Sequence, residues 1–202
     1  MDKTLWKEEV AVNSDWTRED WKFMLNCLNE TTISLHNYGR RGILQGEMEM
    51  IVGKCPNLQE FMTVLDSGQN SWMMLQSPWI SLEVITLSCL RFGRIFQGIK
   101  LEETLPHIVM FIITEHDAHE DRDPSVFPDL SGCQHLTKAV FLHGYFRFGK
   151  IINSGEKLPL PLGLKTLNLY GCRFHEGFMN NISYKDMKKI IPTLKTFEPC
   201  NK

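Results

Sequence analysis

The chain has no apolar run approaching the ~20 residues that a bilayer-spanning helix needs, so no membrane partner is expected. It also lacks an excess of basic charge, with 22 Lys and Arg against 24 Asp and Glu and a formal net charge of -2. A nucleic-acid binder would carry a basic stripe, so no nucleic-acid partner is expected either. There is no C-x-x-C pair, which argues against a structural zinc site. No G-x-S-x-G, P-loop, G-x-G-x-x-G or H-E-x-x-H motif occurs. The first residues, MDKTLWKEEVAVNSDW, are charged and carry no apolar core of a secretory signal. The expectation is a cytoplasmic or nuclear protein, without catalytic residues, cofactor or metal. Six cysteines are present, and in such a compartment they are expected to stay reduced.

What the chain does have is a recurring apolar spacing. Leu164–Phe174 reads LKTLNLYGCRF, with leucines at Leu164, Leu167 and Leu169. SLEVITLSCLRF repeats it at Leu82, Ile85 and Leu87, and Phe92 follows Leu82 at the distance that Phe174 follows Leu164. L-x-x-L-x-L is the strand signature of a leucine-rich repeat. Weaker copies open at Leu28, Leu58, Leu105, Leu136 and Leu194, so that seven openings are separated by 30, 24, 23, 31, 28 and 30 residues. Repeats of this class run about 20–29 residues, and the longer steps imply loop insertions. A strand with apolar residues at these offsets buries them only when a neighbouring repeat stacks alongside.

The fold expected is therefore α/β, a leucine-rich repeat solenoid with a parallel concave sheet and helices outside. The competing reading is an ordinary α/β arrangement of similar strands. Residues 1–27 are read as an N-terminal lead-in and capping helix, and residues 28–202 as the repeat domain. The helix is placed on DWTREDWKFMLNCL, capped by Asp15 or Thr17 and burying Trp16, Phe23, Cys27 and Leu28. A second helix is expected in GILQGEMEMIVGK, and a third in SYKDMKKII with Ser183 as cap and Asp186 at its third position. Around Leu136 the inward pair is Ala139 and Phe141, although a shift to Val140 and Leu142 fits nearly as well.

Side chains alternate along a strand, so the third, fifth and seventh positions of L-x-x-L-x-L-x face the concave surface. This assigns Val84, Thr86, Phe111, Leu142, Thr166, Asn168 and Tyr170 to a protein-binding surface. Phe111, Leu142 and Tyr170 fall in one column on consecutive repeats, an apolar and aromatic patch of the kind that marks protein contacts. The run EHDAHEDRD, Glu115 to Asp123, is rich in metal-ligating types, but its spacing defines no geometry, and a solvated insertion is the plainer reading. The aromatic run LHGYFRFGK is assigned to packing against the adjacent repeat.

CPNLQEF, GCQHLTKAVFL and LKTLNLYGCRF resemble the cysteine-containing repeats of F-box/LRR proteins, which commonly read C-x-x-L-x-x-L-x-L with a cysteine in the turn. The resemblance covers roughly residues 25–200. It implies a protein partner on the concave face, a ubiquitin-ligase adaptor as a second partner, and substrate recognition in an F-box-type ubiquitin ligase. The family's F-box, an N-terminal three-helix segment, is not recognisable in residues 1–27. Two alternatives stay open: a metal-dependent enzyme using the His/Asp-rich loop 115–123, and a scaffold or regulatory leucine-rich repeat protein unrelated to ubiquitin.

Overall fold

Period-two apolar alternation favours strands that bury one face and leave the other open. A computed structural model shows that this alternation governs most of the chain. It describes residues 8–39, 42–65, 78–90, 92–93, 95–116, 123–147, 158–175 and 177–200. In chain order the strands are β1 (Glu9–Val12), β2 (Ser34–Asn37), β3 (Glu60–Leu65), β4 (Val84–Cys89), β5 (Met110–Glu115), β6 (Ser125–Val126), β7 (Lys138–Leu142), β8 (Tyr145–Arg147), β9 (Thr166–Asn168), β10 (Arg173–Phe174) and β11 (Thr196–Glu198). The helices are α1 (Arg18–Cys27), α2 (Gln45–Lys54), α3 (Leu101–Thr104) and α4 (Tyr184–Ile190), with a 3-10 turn at Gly177–Asn181.

The fold is α/β, built on an eight-stranded sheet in the order β1-β2-β3-β4-β5-β7-β9-β11. Every pairing in it is parallel, and its strands lie in chain order, with β6, β8 and β10 left out. The register aligns one inward column through Val10, Leu35, Phe61, Ile85, Phe111, Ala139, Leu167 and Phe197. The chain enters each strand through the same tight turn. The N–H groups of Thr32, Leu58, Leu82, Ile108, Leu136, Leu164 and Leu194 each donate to the carbonyl three residues earlier, at 3.0 to 3.3 Å. A short parallel sheet, β10-β8-β6, lies on the return side of the later strands.

Two of the expected openings move, and one strand is added. The openings are Thr32 rather than Leu28, and Ile108 rather than Leu105. The step between successive openings then narrows to between 24 and 30 residues, because the corrected frames share one register. Glu9–Val12, read as lead-in, forms β1 on the outer edge beside β2, with Val10 and Val12 buried. The frame at Leu136 is the expected one, with Ala139 and Phe141 inside.

Helix α1 starts where Thr17 caps it: Thr17 Oγ1 accepts from Asp20 N, and the Asp20 carboxylate accepts from Thr17 N. The Thr17 hydroxyl also donates to that carboxylate at 2.6 Å, and this bond, followed by the one from Thr17 N, holds the Asp20 carboxyl below its usual range. The helix buries Trp21, Met24 and Leu25, whereas Phe23, expected inside, is 44% exposed. Met24 and Leu25 turn toward α2 and the sheet, where Met48 and Ile51 complete the layer. In α4, Ser183 caps as expected, with Asp186 N donating to Ser183 Oγ.

Over the later strands the core is aromatic. Phe92, Phe96, Phe111, Phe141, Phe127, Phe146 and Phe174 form an unbroken chain of ring contacts, with centroids 4.4 to 6.3 Å apart. Phe92, Phe146 and Phe174 each stand ten residues after the opening of their repeat, at Leu82, Leu136 and Leu164. The offset read from two copies thus marks where the chain turns back along the core.

Candidate functional site

The open face of the sheet is lined by the side chains that alternate with the buried column. Three rows cross it. The first runs Ser34, Glu60, Val84, Met110, Lys138, Thr166 and Thr196; the second His36, Met62, Thr86, Ile112, Val140, Asn168 and Glu198. The third runs Val64, Ser88, Thr114 and Leu142. Of the expected surface residues, Val84 and Thr86 project from β4 and are half-buried, as are Leu142 on β7 and Thr166 and Asn168 on β9. Tyr170, just beyond β9, is 41% exposed. Val84 and Thr166 share the first row, Thr86 and Asn168 the second. Leu142 and Tyr170 come together at the strand ends, where His143 N donates to Tyr170 O at 3.0 Å.

Phe111 does not belong to this surface. It is 0% exposed and packs against Phe96 and Phe141 inside the core. Its expected orientation followed from opening that repeat at Leu105. With Ile108 as the opening, Phe111 and Ile113 point inward, and Met110, Ile112 and Thr114 point outward. Those three are the surface residues that sequence reasoning missed; Met62 and Val64 on β3 stand at the fifth and seventh positions after Leu58, where the alternation puts them on this face. A signal for the β5 residues was present: Ile108, Phe111 and Ile113 carry the same offsets as Leu82, Ile85 and Leu87.

The corrected face has an apolar centre and polar flanks. Met62, Val64, Val84, Met110, Ile112, Val140 and Leu142 make a contiguous patch across β3, β4, β5 and β7. Lys138 is the charged side chain within these rows of β4, β5 and β7. On the β2 side, His36 Nε2 lies 3.3 Å from Glu60 Oε1 and 3.1 Å from Ser34 Oγ. On the β11 side, Asn168 Nδ2 donates to Glu198 Oε2 at 2.6 Å. The apolar centre is half-buried, with Val140 only 9% exposed, and the polar side chains at its two sides are paired with one another.

The two described residues that open the acidic and histidine-rich run, Glu115 and His116, are both hydrogen-bonded. Glu115 ends β5 pointing inward and accepts from Phe92 N at 3.1 Å, Ser125 Oγ at 2.7 Å and Tyr145 N at 3.3 Å. His116 Nε2 lies 2.7 Å from Ser88 Oγ. Residues 117–122 of the acidic and histidine-rich run lie outside the described residues, as do Phe148 and Lys150 of the aromatic run and Trp72 in the segment before β4. Among the described residues, no group of three or more His, Cys, Asp and Glu is placed to hold a metal ion. The six cysteines are free thiols, five of them buried. Burial pushes the Cys133 thiol up to about 12, with Glu102 and Asp129 adding to the effect, and the Cys200 thiol up to about 11. Burial raises Cys172 as well, and its Sγ donates to Phe141 O at 3.1 Å. Thiols so held are poor nucleophiles and act as packing groups.

No helix among the described residues is long and apolar enough to cross a membrane. No protein-family model matches this chain, and neither a curated protein nor a solved structure matches it.

Proposed function

We propose that this chain is a leucine-rich repeat solenoid that works as a protein-binding module, holding its partner on the open face of the eight-stranded sheet without bond chemistry. The observation that carries the reading is the contiguous apolar centre of that face, Met62, Val64, Val84, Met110, Ile112, Val140 and Leu142. The strict nearest-neighbour pairing and the common strand-entry turn support the solenoid part of it. The resemblance of CPNLQEF, GCQHLTKAVFL and LKTLNLYGCRF to F-box/LRR repeats supports substrate recognition in an F-box-type ubiquitin ligase, in the cytoplasm or nucleus. The six free thiols suit such a compartment.

The test is affinity capture with the full chain and with a Val84→Glu/Ile112→Glu variant, whose substitutions project from the open face rather than into the core. A partner retained by the parent chain and lost by the folded variant supports the module. Equal recovery of every partner sinks it. Binding to a purified ubiquitin-ligase adaptor separates the ubiquitin role from scaffolding: absence of binding removes the former and leaves the module standing.

A further inference from the structure

At the edge where the chain enters the sheet, two consecutive repeats place histidine at the same position. His107 stands one residue before the opening at Ile108, and His135 one residue before the opening at Leu136. The register that pairs Met110 of β5 with Lys138 of β7 sets the two histidines opposite each other. Parallel strands lie about 4.8 Å apart, which makes equal positions on them side-chain neighbours. The imidazole rings meet, with centroids 5.6 Å apart and planes inclined at 41°. The backbone beneath them is fixed. Ile108 N donates to Leu105 O at 3.3 Å, Leu136 N donates to Cys133 O at 3.1 Å, and Thr137 N donates across to Val109 O at 2.9 Å.

Other histidines of the chain spend a ring nitrogen on a neighbour. His36, His116 and His175 each place one beside a hydroxyl, at 3.1, 2.7 and 3.2 Å. His107 and His135 are exposed, and among the described residues neither makes a hydrogen bond or an ion pair. Each neutral imidazole therefore keeps a nitrogen lone pair for an outside group. Imidazole suits late divalent metal ions, and zinc takes it at about 2.0–2.1 Å. On that bond length, two rings in adjacent positions of a tetrahedral ion have centroids about 5.2 Å apart. A small side-chain rotation reaches that spacing from the 5.6 Å observed. The exposed edge leaves the ion's other positions open to water.

We propose that His107 and His135 together bind one divalent late transition-metal ion, each repeat giving one ring nitrogen and water completing the coordination. The pair lies at the strand entries, ahead of the first open-face row at Met110 and Lys138, so it is independent of what the open face binds.

Zinc chloride is the probe, titrated at neutral pH into the full chain carrying ¹⁵N-labelled histidine. The background is Cys27→Ser, which removes the one thiol that is not buried. The ring signals of His107 and His135 are assigned by their loss in His107→Gln and His135→Gln. Both should shift along one saturating curve, while those of His36 and His175 stay in place. Either Gln variant, an exposed change that leaves the core untouched, should weaken zinc binding by more than about tenfold, because loss of even an outer-shell partner weakens a metal site by about 10–100-fold. Magnesium, which takes oxygen ligands, should leave both rings unmoved. Ring signals that stay still, that shift at different zinc concentrations, or that move along with His36 and His175 overturn the proposal. Equal zinc affinity at His135 in the parent chain and in His107→Gln overturns it as well.

Discussion

The two halves of the ladder solve the same packing problem with different material. Between β1 and β3, each strand returns to the next through a ten-residue helix, α1 or α2, whose Trp21, Met24, Leu25, Met48 and Ile51 cover the buried face. Between β5 and β9 the described parts of the returns carry the short strands β6 and β8, and phenylalanine rings fill the space. The strands nevertheless pair in one continuous register through both halves. Strand spacing is dictated by the inward column and the entry turn, and the return segment is free to be whatever buries that column. A helix forms where a cap and an apolar face exist. Where Phe146 or Phe174 stands ten residues after the opening, the chain instead runs along the core as β8 or β10.

The sharpest way to break this contrast is in the aromatic half. Phe146→Ala removes a 0%-exposed ring that touches Phe127, Phe141 and Phe174. It should cost about 3–5 kcal/mol in urea unfolding, and a loss near zero would show that the rings are not what holds these returns. Glu115→Ala should come next, at about 3 kcal/mol, because Phe92 N, Ser125 Oγ and Tyr145 N all lose an acceptor. Glu115→Gln, which keeps an acceptor, should cost less, and equal losses in the two variants would discount the hydrogen bonds. In the helical half, Thr17→Ala should cost about 1 kcal/mol and lower helical circular dichroism, since α1 begins on that side chain.

The least effect at neutral pH is expected from the thiols. Cys133 and Cys200 have folded-state values of about 12 and 11, raised from 9.0, so the unfolded chain loses its thiol protons first. Their contribution to stability is complete below pH 9 and is lost as pH rises through that window. Replacing Cys133 by Ala should therefore flatten the fall in stability between pH 9 and pH 11 while leaving the pH 7 to 8 region unchanged. An unaltered alkaline slope would contradict the buried-thiol account.

How much could be read beforehand depended on whether a strand was amphipathic. Leu82–Leu87 alternates cleanly, and its inward residues, its open-face residues Val84 and Thr86, and its partner copy at Leu164–Leu169 were all legible. The capped start of α4 was legible for a similar reason, since Ser183 and Asp186 act within one turn. Met110–Glu115 was not. Met110, Phe111, Ile112 and Ile113 are apolar on both faces, so alternation is silent there, and a glutamate at the end argues locally for the wrong frame. β1 was missed because one glutamate and three small apolar side chains carry little signal unless β2 is beside them.

The sequence by itself determined the openings at Leu58, Leu82, Leu136, Leu164 and Leu194, with the inward residues that follow them, and the helices that start at Thr17 and Ser183, because alternation and capping act between residues a few positions apart. Tertiary structure decided the frame of β5, the addition of β1 and the composition of the open face. Those depend on contacts between distant segments. Glu115 can point inward only because Phe92, Ser125 and Tyr145, more than 20, about 10 and about 30 residues away, arrive to satisfy it. With it inside, Met110 and Ile112 are left outside, on the surface where the partner is proposed to bind.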